Sequence, residues 1–347
     1  MRKPLIGISV GDPNGIGPEV VAKALALREI HDICIPLVIS DLALMKDAIR
    51  IANVDLNLSH YNEECKSYIP QDDSITLILD MHNVDMSRHE YRKVSAENGK
   101  SAFEYIRKLI DLAMSGKIDA TVTGPISKEA INLAGFQYSG HTEIYSELTG
   151  TEDYVMMLID GDYRIAHVST HVSLRRACDL VKKERILKVI SLVKDLLERL
   201  NISNPKIAVA GLNPHASEGG LFGDEEKEEI MPAIVDAKRQ GINVDGPFPP
   251  DTIFSRTKGG EFDAVVAMYH DQGHIAMKAS GFIYDKDGIW SSISGVNVTL
   301  GLPIIRTSVD HGVAFDKAGD GIANPQSMIQ AIKLAVLLCN QSQKGDA

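Results

Sequence analysis

Short, almost wholly apolar runs rich in β-branched residues alternate along this chain with segments of helical periodicity, and that alternation leaves few folds open. PLIGISV (4–10), CIPLVIS (34–40), SITLILD (74–80), DATVTG (119–124), RIAHVS (164–169), KIAVAG (206–211), DAVVAMY (263–269) and PIIRTSV (303–309) read as strands. Several lack the in–out alternation of a half-exposed strand, as strands covered on both faces of a parallel sheet should. Between Ser101 and Ser115, Phe103, Ile106, Leu109, Ile110, Ala113 and Met114 recur at helical spacing, and Gly116 follows as a stop. Ile186, Val189, Ile190, Val193, Leu196, Leu197 and Leu200 form a second stripe between Lys183 and Leu200. Both stripes read as core faces. The expectation is an α/β protein of βαβ units.

With 347 residues, two domains are the default, although no Pro- or Gly-rich linker marks a boundary. The tail after Cys339, NQSQKGDA, reads as frayed. A formal net charge of -11 without a basic stripe argues against a nucleic-acid partner. Four cysteines, at 34, 65, 178 and 339, show no Cys-x-x-Cys spacing, which argues against a disulfide framework and a thiolate zinc knuckle. MRKPLIGISV lacks the long apolar stretch of a signal peptide, and no window approaches eighteen apolar residues. The expectation is a cytoplasmic protein with no membrane partner.

The unusual residues cluster at strand ends, where open α/β sheets place their ligands. GDPNGIGPE (11–19) follows the first strand: its glycines permit tight backbone, Pro18 suits a first helical turn, and Glu19 favours the positive end of the helix. It reads equally as a ligand-facing turn or a plain strand-to-helix connection, and its spacing does not fit GxGxxG. TGPISKEAI (123–131) and SGHTE (139–143) place His141 and Thr142 in a polar loop suited to meeting an anion.

Three histidines each follow a strand: His171 in STHVSLRR, His215 in AGLNPHASEGGLFGDEE and His270 in AMYHDQGH. Any one alone reads equally as a hydrogen-bonded strand-end residue. Together they offer three imidazoles to a divalent ion while leaving positions open for substrate. His167, inside a strand pattern, and His274, beginning the next segment, are rival ligands. Downstream, Lys278, Asn297 and Arg306 supply the charge and polarity that a phosphate or carboxylate requires. VDHGVAFDKAGDGIANP (309–325) resembles the cofactor loop of isopropylmalate and isocitrate dehydrogenases, which holds the adenosine part of the nicotinamide cofactor; the matching positions are His311, Gly312, Asp316, Gly319 and Asn324.

Taken in order, GDPNGIGPE, TGPISKEAI, GHTE, STHVSLRR, NPHASEGGLFGDEE, GPFPPDTIF, YHDQGH and GVNVTLGLPIIRTSVDHG resemble the 4-hydroxythreonine-4-phosphate dehydrogenase family of pyridoxal phosphate biosynthesis, from about residue 4 to about residue 337. The resemblance implies an isocitrate/isopropylmalate dehydrogenase-like fold of two α/β/α domains with a cleft between them. It divides the chain into 1–145 plus 300–347 and 146–299. It implies a homodimer with the active site at the subunit interface and metal ligands from both subunits. The family's metal ligands fall on His171, His215 and His270, and its substrate contacts on His141, Thr142, Lys278, Asn297 and Arg306. Lys278 is the candidate for proton transfer, and Asp251, in GPFPPDTIF, matches an acidic position of the catalytic site to which no particular step is assigned.

The implied reaction is NAD- or NADP-dependent oxidation of 4-phosphooxy-L-threonine at C3, followed by decarboxylation to 3-amino-2-oxopropyl phosphate. Three imidazoles suit zinc, cobalt and, less well, magnesium. Two features depart from the common form. FIYDKDGIWSSIS, between Gly281 and Gly295, is longer than expected, and HDQGHI carries a second histidine where an apolar residue is usual. The second feature is similar to dehydrogenases acting on 4-phospho-D-threonate or 4-phospho-D-erythronate, which stand as the alternative. A binding protein that holds a phosphorylated metabolite without turnover is the rival from another class.

Overall fold

The computed structural model of the chain describes residues 2–63, 74–284, 290–293 and 295–345. They form two compact units, Met1–Glu152 with Leu302–Ala347 (unit 1) and Asp153–Gly301 (unit 2).

Unit 1 contributes β1 (Leu5–Ser9), β2 (Ile35–Ser40), β3 (Asn57–His60), β4 (Ile75–Asp80) and β5 (Ala120–Thr123). Unit 2 carries β6 (Val155–Asp160), β7 (Tyr163–His167), β8 (Ile207–Ala210), β9 (Val244–Phe248), β10 (Ala264–Ala267), β11 (Phe282–Tyr284), β12 (Trp290–Ile293) and β13 (Val296–Leu300); β14 (Arg306–Val309) returns to unit 1. The protein is α/β.

In unit 1 the strands run β3-β4-β2-β1-β5-β14, all parallel. Ile6, Ile8, Leu37, Ile39, Ala120 and Val122 are fully buried, which explains the unbroken apolar runs: neither face meets water. The outermost β3, NLSH, is half exposed and polar, as an edge strand should be. Helix Ala96–Met114 starts where Ser95 Oγ accepts the Asn98 N–H at 3.2 Å, and it buries Phe103, Ile106, Leu109 and Ile110. The chain leaves β1 for β2 on one side and reaches β5 on the other, so the loops after β1 and β5 flank a topological switch point.

In unit 2 the order is β13-β6-β7-β10-β8-β9, with β13-β6 and β6-β7 antiparallel and the remainder parallel. Helix Lys183–Arg199 buries Ile186, Val189, Ile190, Val193, Leu196 and Leu197, the predicted stripe apart from Leu200.

The structure adds strands that the apolar runs did not predict. β3 is too polar, β6 (VMMLID) is methionine-rich rather than β-branched, and β9 (VDGPF) contains Gly-Pro. β13 (VNVTL) alternates polar and apolar residues within a segment read only for Asn297. Predicted strands are trimmed at their ends: PIIRTSV is extended only over Arg306–Val309, RIAHVS ends at His167 and DAVVAMY at Ala267. The tail is corrected as well, because helix Gln326–Gly345 runs well past Cys339; Cys339 is buried, and its turns continue the core-facing helix. Of the insertion after Gly281, β11 and β12 pair antiparallel, while residues 285–289 and 294 lie outside the described residues. Cys65 is also outside them; Cys34, Cys178 and Cys339 are free.

Candidate active site

Each unit gathers its chemistry-bearing residues at strand ends. In unit 1, Arg306 opens β14 opposite Thr121 of β5 and is 2% exposed. Its guanidinium donates to Thr123 Oγ1 at 3.1 Å and lies 5.5 Å from the Tyr145 ring. Burial pulls its pKa down to about 10, so the group stays cationic at neutral pH, and a desolvated cation favours an anion beside it. His141 opens helix His141–Thr149, with buried Thr142 next to it. Nε2 of His141 is shielded from solvent and has no hydrogen-bond partner among the described residues. Burial, then the charges of Arg306 and Lys128, hold this imidazole well below its usual pKa and therefore neutral. A neutral imidazole beside an enduring cation can orient an anionic substrate without competing for its charge.

The loop after β1 lies against the same neighbourhood. Gly11, at φ 78, brings the backbone against Pro125, and Asp12 N–H donates to Pro125 O at 2.9 Å. Asp12 is wholly buried: Oδ1 accepts the Asn14 N–H at 2.9 Å, and Oδ2 has no partner among the described residues. Burial pushes its carboxyl up to about 6. The sequence reading treated the motif as a whole and did not single out this residue.

The 309–325 segment is stapled to the first helix by Glu19, whose role is not limited to the helix end. Glu19 Oε1 accepts the Ala323 N–H at 2.6 Å and pairs with Lys23 at 2.8 Å, while Lys23 donates to Gly321 O and Ala323 O. Ile16 N–H donates to Val313 O, and Tyr91 packs on Gly319. Of the predicted cofactor positions, Asp316 and Asn324 are exposed, His311 and Gly312 adjoin through a 3.0 Å contact between His311 Nδ1 and Gly312 O, and Asn324 Oδ1 accepts the Gln326 N–H at the start of the last helix.

In unit 2 the strand order itself brings the histidines to one edge. β7, β10 and β8 are parallel neighbours, and they are followed by His171, His270 and His215 respectively. The rings of His171 and His270 are 5.7 Å apart. Nδ1 of His270 contacts Asp271 Oδ1 at 2.6 Å; donating that N–H leaves Nε2 as the bare lone pair, the arrangement a metal-binding imidazole needs. His274 stacks on His270 at 3.7 Å and 8°, with Nδ1 held by His270 O at 3.0 Å. His167 is fully buried with Nδ1 against Met156 O, and its ring lies 4.8 Å from that of His274. Gly273 lets the helix approach His167 where any side chain would collide.

His215 stands apart from this cluster; its ring neighbour is Phe222 at 6.4 Å. Among the described residues no three histidine, cysteine or carboxylate side chains are grouped to hold a metal ion. The structure therefore brings together two of the three predicted imidazoles within one chain. The third sits in a left-handed turn: His215, Ala216, Ser217 and Glu218 all have positive φ, at roughly 1–2 kcal/mol for each L-residue so held. Imidazole donors suit a divalent ion by their chemistry, while within one chain the three predicted rings do not gather as a set.

Two cavities accompany these residues. One of about 760 Å³ is lined by His215, Asp251, Tyr163, Lys258, Tyr269 and Gln272, among others. The second, about 370 Å³, is lined by His171, Ser173, Tyr269, His270 and Asp271, so Tyr269 borders both. Lys278 Nζ sits 5.1 Å from the Phe282 ring, and Asn297 faces Leu158 across the β13–β6 pair. No helix among the described residues is long and apolar enough to cross a membrane.

Known proteins resemble this chain over nearly its whole length. A protein of Oceanobacillus iheyensis, provisionally named D-threonate 4-phosphate dehydrogenase, is 47% identical over 339 residues, 97% of this chain and 98% of its own. The crystal structure of 4-hydroxythreonine-4-phosphate dehydrogenase from Klebsiella pneumoniae is 38% identical, with a TM-score of 0.82 over 97% of this chain and 99% of that one. The 4-hydroxythreonine-4-phosphate dehydrogenase structure from Burkholderia phymatum is 39% identical, with a TM-score of 0.80 over the same shares. The family model described as pyridoxal phosphate biosynthetic protein PdxA matches residues 32–335, and the chain belongs to that family of dehydrogenases.

Proposed function

We propose that this dehydrogenase oxidises the C3 hydroxyl of D-threonate 4-phosphate. The observation that carries the choice is the 47% identity, over nearly the full length of both chains, to a protein provisionally named for that substrate. The His274–Ile275 pair after Gly273 points the same way. The second reading is 4-phosphooxy-L-threonine in pyridoxal phosphate biosynthesis, favoured by the names of the solved structures at 38–39% identity. 4-Phospho-D-erythronate shares the chemistry.

Removing hydride from C3 and the proton from its hydroxyl gives a 3-oxo acid. The ketone is then β to the carboxylate and accepts the electron pair of the breaking C–C bond as CO2 leaves. The enolate so formed takes up a proton at C2, giving dihydroxyacetone phosphate from D-threonate 4-phosphate and 3-amino-2-oxopropyl phosphate from 4-phosphooxy-L-threonine. NAD or NADP, at the loop of His311, Gly312, Asp316, Gly319 and Asn324, would accept the hydride, and a divalent ion (zinc, cobalt or magnesium) on His171, His215 and His270 would polarise the hydroxyl.

The chain's own residues do the binding and orientation. Arg306, desolvated and cationic, holds an anionic group of the substrate. His141 stays neutral and, with Thr142, contributes hydrogen bonds rather than charge. Lys278 and Asn297 are the contacts assigned to unit 2. Lys278 or Asp251 takes the hydroxyl proton, and Asp251 shares its cavity with His215. In this reading the enzyme works as a homodimer in the cytoplasm, with ligands to the ion drawn from two copies.

Steady-state nicotinamide reduction on both substrates, with and without a chelator, tests the proposal. The expected result is a kcat/KM at least ~10-fold higher on D-threonate 4-phosphate, worth about 1.4 kcal/mol of transition-state discrimination, and loss of turnover on chelation. The reverse preference would transfer the assignment to 4-phosphooxy-L-threonine, and full activity after chelation would remove the metal from the reaction.

A further inference from the structure

The segment that leads into the left-handed turn of His215 is held by two side chains that the reaction itself does not call on. Four consecutive non-glycine residues, His215 to Glu218, have φ of 54, 53, 66 and 47°, a run that persists only where the surroundings fix it. One anchor is Glu226, 3% exposed. Its Oε1 accepts the backbone N–H groups of Leu212 and Asn213 at 2.8 and 2.7 Å, and its Oε2 accepts Asn213 Nδ2 at 2.9 Å. Asn213 O in turn accepts the Ala216 N–H at 3.1 Å, inside the turn.

The other anchor is Gln272. Its Oε1 accepts the Met268 N–H at 2.7 Å, and its Nε2 donates to Gly211 O at 2.8 Å. Met268 directly follows β10 and precedes His270 by two residues; Gly211 directly follows β8 and precedes His215 by four. One amide therefore ties the ends of two neighbouring strands, each of which leads into a histidine. Only a side chain that donates and accepts at the same tip can do this. A glutamate would accept from Met268 but present a second acceptor to Gly211 O, and an apolar residue would leave both backbone groups without their partner.

We infer that Gln272 and Glu226 are positioning residues: they fix the His215 turn against β10 and its His270, and so set where the His215 imidazole is offered to a divalent ion. The inference rests on the metal reading of the proposed function. Neither residue needs to touch substrate or ion.

The probe is Co(II), added to the full-length protein after chelation and desalting, with the dissociation constant and visible spectrum recorded beside the unfolding midpoint of the metal-free form. Gln272→Met, which keeps length and removes both hydrogen bonds, is expected to weaken Co(II) binding ~10–100-fold, the usual range for residues behind a ligand, and to alter the spectrum. Glu226→Gln, which keeps an acceptor for the two backbone N–H groups but turns a donor toward Asn213 Nδ2, is expected to give a smaller loss in the same direction. It also serves if Gln272→Met does not fold. Variants with a lower metal-free midpoint but wild-type Co(II) affinity and spectrum would reduce both residues to structural supports and overturn the inference alone. A wild-type protein that does not bind Co(II) would remove the metal reading and the inference together.

Discussion

The Arg306 corner of unit 1 and the histidine edge of unit 2 solve opposite problems. Arg306 is 2% exposed and the Nε2 of His141 is shut off from water, so this corner is dry and its charge is already in place. At the other edge, His171 and His215 are exposed and His270 keeps 35% of its side chain in solvent. The dry corner keeps its cation buried, the group that the proposed function offers to an anionic substrate. The wet edge leaves its imidazoles hydrated and invests instead in backbone, through the left-handed turn and the Gln272 and Glu226 anchors. Charge that must meet an anion gains from desolvation, whereas ligands that must admit an ion and exchange water gain from access.

The largest effects should separate the two regions most sharply. Arg306→Met removes a buried charge and fills its place with a flexible apolar chain. The expected outcome is a fall in kcat/KM of roughly 10³-fold or more, about 4 kcal/mol, with Co(II) affinity unchanged. His270→Ala should match that kinetic loss by a different route: Co(II) affinity collapses while the unfolding midpoint of the metal-free protein barely moves, because a half-exposed ring is lost. Kinetics, metal titration and thermal unfolding of both variants check this. Equal metal affinity in His270→Ala and wild type would mean that the wet edge is not where an ion binds.

Much of the fold was legible because burial writes itself into composition. The runs over β1, β2, β4, β5, β8 and β10 are apolar because both faces of those strands are covered, and a reader of residues sees that directly. β3 and β9 were not legible, since an edge strand needs few apolar residues and Gly246-Pro247 resembles a break. Strand-end placement made His171, His215, His270 and His141 stand out as chemistry, but distance along the chain hides which rings meet. His274 begins the next segment of the sequence, and nothing in that position shows that its ring stacks on His270. Glu19 was read as a helix-end charge, and its bond to Ala323, 304 residues away, could not be read from neighbours. Gln272 was invisible for the same reason: its partners are backbone atoms, which every residue has.

Asp12 sharpens the comparison at intermediate size. Burial pushes its carboxyl up to about 6 from an ordinary 3.8, so the folded state resists ionisation that the unfolded chain permits. A raised carboxylate is stability-neutral below about 3.8, costs progressively more as pH rises to about 6, and above that holds a constant penalty of about 3 kcal/mol. Asp12→Asn should therefore raise the unfolding midpoint at pH 8 and leave it nearly unchanged at pH 4. A midpoint gain that is the same at both values would show that Asp12 ionises freely and that the corner is wetter than its burial implies.

The smallest effect tests the same contrast with one hydroxyl on each side. Ser127 Oγ accepts the Ala130 N–H at 3.1 Å ahead of helix Lys128–Leu133 and is 7% exposed; Ser173 Oγ accepts the Arg176 N–H at 3.3 Å ahead of helix Leu174–Asp179 and is exposed. Both are helix caps, and losing a cap costs about 0.5–2 kcal/mol. Ser127→Ala strands a buried N–H that water cannot reach and should fall at the upper end. At Ser173→Ala, solvent takes over the lost bond, so the cost should stay near the lower end, about 0.5 kcal/mol. The first substitution also loosens the helix that sets the Lys128 charge beside His141, so it should raise KM for the phosphorylated substrate, while the second should not. Denaturant unfolding and substrate titration of the two variants read both quantities. Equal costs would mean that the two edges meet solvent alike, and the division of labour between a dry anion corner and a wet histidine edge would fail.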